Sequence, residues 1–550
     1  MDESSVVRLV HFTLQEYFHR HSELFKNPHA AMAEVCLRYL NFDSVNKISY
    51  TLDTAPAETR FLQYASSYWG LYARNGLSER VKSLALNLLN KFGEHISAKL
   101  LKWEHFDIWE RQGRHSVEFT GLHCAAYLGL DEIAIGWLEK EKGCNADVAD
   151  SRGRTPLMWA AESGHEEMVK LLLCRKDINP DSRDCDDRTP LWLASNGGHE
   201  GVVKLLLDRN KVSHDLRGTY GITPPWYKGI AELLYGRKEV NPDSKDRNGR
   251  TPLLCAAVRG HEGIVKLLLD QKEVNPDSSD IPGQTSLLYA VGRGHEGIVK
   301  LLLGRKDVNP DWKNSHGARP LKNAARGGHE GIVRLLLLRK EVNPDLKDDD
   351  GRTPLCYAAK AGHEGIVKLL LRRIEVNPDS RDDNGRTPLW YAAMGGCEGI
   401  VKLLLGRKEV NPESRDNVGQ TPLLSAAKAG HEGIVKLLLG RKEVNPDSRN
   451  SLGGTPLQCA ARGGHEGIVE LLLGSKEVNP DSREDTGRTP LWYAAAGGHE
   501  GIVKLLLARK EVNPNSRDTI RDTPLLCAAR HNHEGIVKLI QIRLDAESDP

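Results

Sequence analysis

Apolar and polar positions alternate along this chain in a pattern that returns again and again. Residues 488–516 read RTPLWYAAAGGHEGIVKLLLARKEVNPNS. Thr489 is a natural helix N-cap, and Pro490 suits the first helical position, where an amide N–H would have no partner inside the helix. The apolar and small run over 491–496 therefore predicts a short first helix, ended by Gly497 and Gly498. His499 and Glu500 open a second helix, with the acid near its positive end. Ile502, Leu505 and Leu506 recur in it at helical spacing beside Val503 and Leu507, over about three turns. The polar stretch VNPNSRDTIRD begins with an Asn-Pro turn and leads back to the next Thr-Pro-Leu. Helices this short are marginal alone in water, so each must gain stability by stacking its apolar face on a neighbouring copy.

The copies align on Thr155, Thr189, Thr223, Thr251, Thr285, Arg319, Thr353, Thr387, Thr421, Thr455, Thr489 and Thr523, at intervals of 34 residues with one of 28 between Thr223 and Thr251. A tetratricopeptide array also has a period of 34, but its first helix carries W-x2-L-G-x2-Y and it has no projecting loop. Neither feature is present. The TPLxxAAxxGHxxIVxLLL core resembles the ankyrin repeat, whose period is 33, with VNPDS accounting for the longer loop. The resemblance covers about four-fifths of the chain. It implies an all-α ankyrin-repeat solenoid of about 13 helix-turn-helix repeats with projecting loops, preceded by a small helical domain.

Four segments follow. Residues 1–118 are expected to form a helical linker or cap, with helices over 28–40, across Phe61, Leu62, Ala65, Tyr68, Trp69 and Tyr72, and from Ser78 to Gly93. Residues 119–218 hold repeats, the first degenerate because it lacks the Pro of TPL and the GHE turn. Residues 219–250 form a truncated, irregular joint in which Trp226 and Tyr227 fill the place of a missing or reduced helix. Residues 251–550 are repeats ending in a C-terminal cap. The stretches VVRLVHFTLQEYF (6–18), AEVCLRYLNF (33–42) and FLQYASSYWGLYAR (61–74) are similar to the linker region of fungal NACHT-ankyrin proteins. In that family a nucleotide-binding ATPase module precedes the linker. This chain contains no GxxxxGK[ST] loop, so either the module has been lost or the chain is a fragment.

Charge changes the picture little. The balance is 76 basic to 75 acidic residues, which argues against a globally nucleic-acid-binding or membrane-surface protein. The ten cysteines are scattered, and Cys255, Cys459 and Cys527 share one position of the first helix, as core thiols would. Without a signal peptide, a spanning apolar run or close CxxC pairs, a reducing compartment is expected, the cytoplasm first and the nucleus second.

Ten copies place His at the same turn: His165, His199, His261, His295, His329, His363, His431, His465, His499 and His533. Such a row reads as a hydrogen-bonding ladder, since no cysteine or carboxylate set completes a metal site. The Glu that follows each one is a helix-start device, because a catalytic constellation needs different residues converging once. No cofactor, metal or enzyme activity is therefore expected; a hydrolase or isomerase site confined to the first 118 residues is the least favoured alternative.

The expected function is a non-catalytic scaffold binding protein partners through the ankyrin groove, with a sensor or regulatory arm of a NACHT-type NTPase as the alternative. In the resemblance, the groove is lined by loop tips and the first helix. That assigns contacts to Arg352, Lys360, Arg381, Arg386, Trp390, Arg415, Lys428, Arg449, Arg462, Arg483, Arg488, Trp492, Arg517 and Arg530. Trp192, Trp390 and Trp492 sit where ankyrin repeats commonly have His, and read either as packing against the adjacent loop or as aromatic anchors. The cations imply a protein partner with an acidic extended segment; the balanced net charge argues against nucleic acid and membrane, and a monomeric chain is expected. Against this, Asp348, Asp382, Asp416 and Asp518 are interleaved with the arginines and could pair with them.

Overall fold

The computed structural model describes residues 27–41, 45, 60–91, 119–140, 145–208 and 240–548. The opening stretch at 6–18 and residues 219–239 of the expected joint, Trp226 and Tyr227 among them, lie outside these residues. Regular structure among them is helical, apart from one isolated bridge between Ser279 and Thr285. Packing divides the chain into two units, Met1–Ser286 and Leu287–Pro550.

In the first unit, helix Pro28–Leu40 starts where Asn27 accepts a hydrogen bond from the Ala30 amide at 3.0 Å. Helix Glu79–Asn90 starts at Ser78 in the same way, at 3.2 Å to Val81 N. Pro28–Leu40 packs on both Arg60–Asn75 and Glu79–Asn90, and the last of these sets Leu89 beside Gly121 and Leu86 beside Gly136 in the first repeat, Gly121–Leu128 and Asp131–Lys140. Regular pairs follow at Pro156–Ser163 with Glu166–Leu173, Pro190–Gly197 with Glu200–Leu207, and Pro252–Arg259 with Glu262–Leu269.

The second unit repeats one local solution. Thr421 has extended backbone and its side chain accepts from Leu424 N at 3.2 Å, opening helix Pro422–Ala429; Thr387, Thr455, Thr489 and Thr523 do the same. Arg319 cannot cap, and no side-chain bond forms there, yet Pro320–Gly327 is helical because stacking supports it. Gly464 ends its helix at φ 76°, a conformation costly for a residue with a Cβ, and the imidazole of His499 lies against it.

The second helix is Glu500–Leu507, eight residues, just over two turns rather than the expected three. It stops early because the chain must return to bury Val512. The same early stop precedes Val410, Val444 and Val478. The exception is the final second helix, which runs for 15 residues, Glu534–Ser548. The polar residues Gln541 and Arg543 lie within it.

Three ladders join the copies. First helices stack on first helices, as Pro388–Met394 does on Pro422–Ala429, and each buries its alanine pair, Ala392 with Ala393 and Ala426 with Ala427. His431 Nε2 lies 3.2 Å from the Met394 carbonyl, and His465 Nε2 lies 3.4 Å from that of Lys428, so each imidazole reaches the end of the preceding first helix. Cys397 interrupts this row, with Sγ 3.6 Å from the Gly395 carbonyl. Arg407, Arg441 and Arg509 donate to the carbonyls of Leu371, Leu405 and Leu473 at 2.7, 2.8 and 2.8 Å, satisfying C-terminal groups that no helix can satisfy alone.

Candidate protein-binding surface

The loop between repeats is a hairpin built on a carboxylate. Asp382 Oδ1 accepts from Asn384 N at 3.0 Å and Arg386 N at 2.8 Å, and Gly385, at φ 75°, completes the turn. Asp348 and Asp416 build their turns alike, and in the first unit so do Asp184 and Asp246. From the hairpin at Asp348 to that at Asp518 each is also bonded to the next: Asn417 N donates to Asn384 O at 2.8 Å, Ser451 N to Val418 O at 3.1 Å and Asp485 N to Leu452 O at 3.0 Å. The result is a continuous hydrogen-bonded ribbon across consecutive repeats.

The second oxygen of the turn carboxylate faces the first helix. Tyr391 Oη donates to Asp382 Oδ2 at 2.5 Å and Tyr357 Oη to Asp348 Oδ2 at 2.6 Å; in the first unit Trp159 Nε1 reaches Asp150 at 3.1 Å. Burial, and then the hydrogen bond to Asp382, pushes the Tyr391 phenol up to about 12. Burial works against ionisation of Asp348, but hydrogen bonds from Lys322 and Tyr357 hold its carboxyl below the ordinary range.

The expected contact residues separate into three rows. Arg352, Arg386 and Arg488 reach forward to the next turn carboxylate: Arg352 Nε is 3.6 Å from Asp382, Arg386 Nε 3.9 Å from Asp416 and Arg488 Nε 3.4 Å from Asp518. Those carboxylates are buried, so these ties belong to the interior of the loop and not to a solvated surface. Arg386 and Arg488 also cover Trp390 and Trp492, at 4.7 and 4.1 Å from Cζ to the ring centroid. Both indoles are half-buried and stand edge-on to Tyr391 and Tyr493. In the first unit Trp192 is buried, with Nε1 on the Arg250 carbonyl at 3.1 Å, which is the packing reading of that position.

Arg381, Arg415, Arg449, Arg483 and Arg517 form the second row, all exposed. Arg381 donates to the Arg415 carbonyl at 3.4 Å, Arg415 to that of Arg449 at 2.6 Å and Arg449 to that of Arg483 at 3.0 Å, while Arg483 reaches Ser516 Oγ at 3.3 Å. The carboxylates two residues before them are half-buried. Asp379 and Asp481 meet the next repeat at Ser414 and Ser516, at 3.4 and 3.5 Å, and Glu413 accepts from Asn445 N at 3.1 Å. Burial raises the pKa of Asp379, Glu413, Asp447 and Asp481 alike.

The third row lies on the first helices. Lys360, Lys428 and Arg462 are exposed, the last 5.7 Å from the Tyr493 ring centroid, whereas Arg530 is held by Asp522 at 2.6 and 2.8 Å. Met394, 44% exposed, shares this row. Sequence reasoning missed the hairpin tips, where Val418, Leu452 and Ile520 are 54%, 66% and 68% exposed. The readable signal was an apolar residue at the turn, directly before Gly419, Gly453 or the left-handed Arg521.

Among the described residues, no group of three His, Cys, Asp or Glu side chains is placed to hold a metal ion, and no helix is long and apolar enough to cross a membrane. The nine described cysteines are free thiols, and burial pushes Cys255 up to about 12 and Cys459 to about 11.

Short helix pairs stacked through ladders, with a hydrogen-bonded hairpin between successive copies, define a tandem-repeat solenoid. The family model for ankyrin repeats (3 copies) matches residues 73–184, 122–218, 226–314, 321–416, 395–484 and 476–548, and the chain belongs to that family. A comparison with curated proteins found no match. Ankyrin repeats are in general protein–protein interaction modules.

Proposed function

We propose that this chain is a non-catalytic scaffold, monomeric and located in the cytoplasm or nucleus, that grips an acidic extended segment of a protein partner. The contact is made through Arg381, Arg415, Arg449, Arg483 and Arg517, with Lys360, Lys428 and Arg462 beside them. The observation that carries this reading is the exposed arginine row: none of its members is ion-paired among the described residues, and each of the first four binds the next repeat through a single neutral acceptor. A guanidinium has five N–H donors, so most of each fork faces outward, suited to a carboxylate.

Arg352, Arg386 and Arg488 support this surface from beneath, since each is tied to a buried carboxylate. The test uses a fluorescent glutamate-rich peptide and the full chain. Binding should be measurable at low salt, weaker at physiological salt, and lost when Arg381, Arg415, Arg449 and Arg483 are all changed to Ala. Retained binding in that quadruple variant would remove this surface from consideration.

A second reading, the sensor arm of a NACHT-type NTPase, is favoured by the resemblance of segments 6–18, 33–42 and 61–74, of which the helices Pro28–Leu40 and Arg60–Asn75 carry the later two. Reading the coding sequence upstream of Met1 for a phosphate-binding loop tests it, and a frame without one counts against an ATPase in the same chain.

A further inference from the structure

The spacing of the arginine row restricts the backbone of what binds it. Each repeat contributes the two short arms of a turn to the ribbon, hydrogen-bonded as neighbouring strands are: within the hairpin by Asp382 N to Arg386 O at 3.0 Å and between hairpins by Asn417 N to Asn384 O at 2.8 Å. Hydrogen-bonded strands lie about 4.8 Å apart, so equivalent residues recur about every 9.5 Å, in line with the roughly 8 to 10 Å between packed helices. Arg381, Arg415, Arg449 and Arg483 thus present guanidinium groups at this interval.

A polyproline-II chain has three residues per turn and rises about 3.1 Å per residue, so one face carries a side chain about every 9.3 Å. A β-strand covers a similar distance in three residues, but its side chains alternate, and every third one points to opposite faces. An α-helix returns to the same face after seven residues, about 10.5 Å, and drifts by about 1 Å at each repeat. Resting on the scaffold reading above, we infer that the occupant is a polyproline-II segment of a protein, with an Asp or Glu at every third residue. One carboxylate then meets each guanidinium, in register with the repeats.

Nothing in such a chain competes for its backbone groups, which stay hydrated. The half-buried Asp379, Glu413, Asp447 and Asp481, and the exposed tips Asp383 and Asp485, punctuate the row with negative charge. Discrete acids separated by neutral residues suit that pattern better than the continuous charge of a phosphate backbone.

The experiment compares two labelled peptides of one composition and charge, (Glu-Pro-Pro)4 and a block peptide with its four glutamates followed by eight prolines, against the full chain at low salt by fluorescence anisotropy. The periodic peptide should bind about tenfold tighter. Arg415→Ala with Arg449→Ala should erase that preference while leaving the thermal midpoint unchanged. Equal affinity for both peptides, still reduced by the arginine substitutions, overturns the register and leaves the scaffold reading standing. Binding of neither peptide overturns both. Tighter binding of an oligothymidylate, or of a helical peptide with Glu at every seventh residue, overturns the occupant proposed here.

Discussion

Within a single loop, two carboxylates and two arginines look alike in sequence and behave in opposite ways. Asp382 and Arg386 face inward: the carboxylate is fixed by two amides and Tyr391, and Arg386 reaches on to Asp416. Asp379 and Arg381, only a few residues earlier, belong to the rim. There the acid meets Ser414 weakly at 3.4 Å, and the base is exposed on a carbonyl. Residue type does not separate these pairs. What does is how many backbone N–H donors converge on the carboxylate: Asp382 accepts two from its own turn, whereas the rim acids Glu413 and Asp481 accept one each, from the next repeat; an acid satisfied more fully can be buried and can then hold a cation.

The sharpest break of this comparison is Asp382→Ala. It strands the amides of Asn384 and Arg386, removes the acceptor of the Tyr391 hydroxyl and leaves Arg352 with Asp350 and Tyr391, and should cost roughly 2 to 4 kcal/mol in urea denaturation. Arg488→Ala comes next. It leaves the buried Asp518 carboxylate without its cation and uncovers Trp492, for a loss of about 1 to 2 kcal/mol. A loss near zero would place Arg488 with the rim row instead. For the same reason, substitutions at Arg386 or Arg488 are poor probes of binding, since they act on stability first.

The smallest expected effect has the opposite sign. Asp345 and Asp447, in the rim position, each keep one buried oxygen without a hydrogen-bond partner, and burial raises both carboxyls. The folded state therefore favours their protonated forms. That contribution to stability is complete below the unfolded pKa and is lost as pH rises through the raised folded value. Asp345→Asn or Asp447→Asn should restore it at neutral pH, a gain of about 0.5 kcal/mol each that shrinks as the solution is made acidic. The chain already holds Asn515 at this position of the last full loop. Denaturation midpoints from pH 7 down to pH 4 check both the sign and the window.

Much of the fold was legible because its signals are local. Thr, Pro and Gly at fixed offsets start and stop the first helix within a few residues, and the spacing of Ile, Val and Leu marks the second. The length of the second helix was misread because its end is set by Val512 and its equivalents returning to the core, a tertiary demand. The candidate surface was half legible. Its cations could be enumerated, but Arg352 finds Asp382 thirty residues away in the next repeat, and no local pattern distinguishes it from Arg381, which finds only a carbonyl. Apolar hairpin tips such as Leu452 went unnoticed because the turn chemistry around Gly453 dominates the reading of that stretch.

The glycine after each His-Glu pair follows from a neighbour rather than from its own helix. A Cβ on Gly467 would collide with the carboxylate of Glu432, and Gly399, Gly433 and Gly501 face Glu364, Glu398 and Glu466 in the same way. Where the preceding unit carries Asp131 in place of that glutamate, the glycine is replaced by Glu167. Each regular unit therefore projects a carboxylate forward and keeps a vacancy behind. Excising one whole unit between equivalent residues, or inserting a second, brings a matching projection and vacancy together at the new junction. Such an array can change its length by complete copies without redesigning any seam, and the number of arginines in its exposed row becomes a quantity set by counting units.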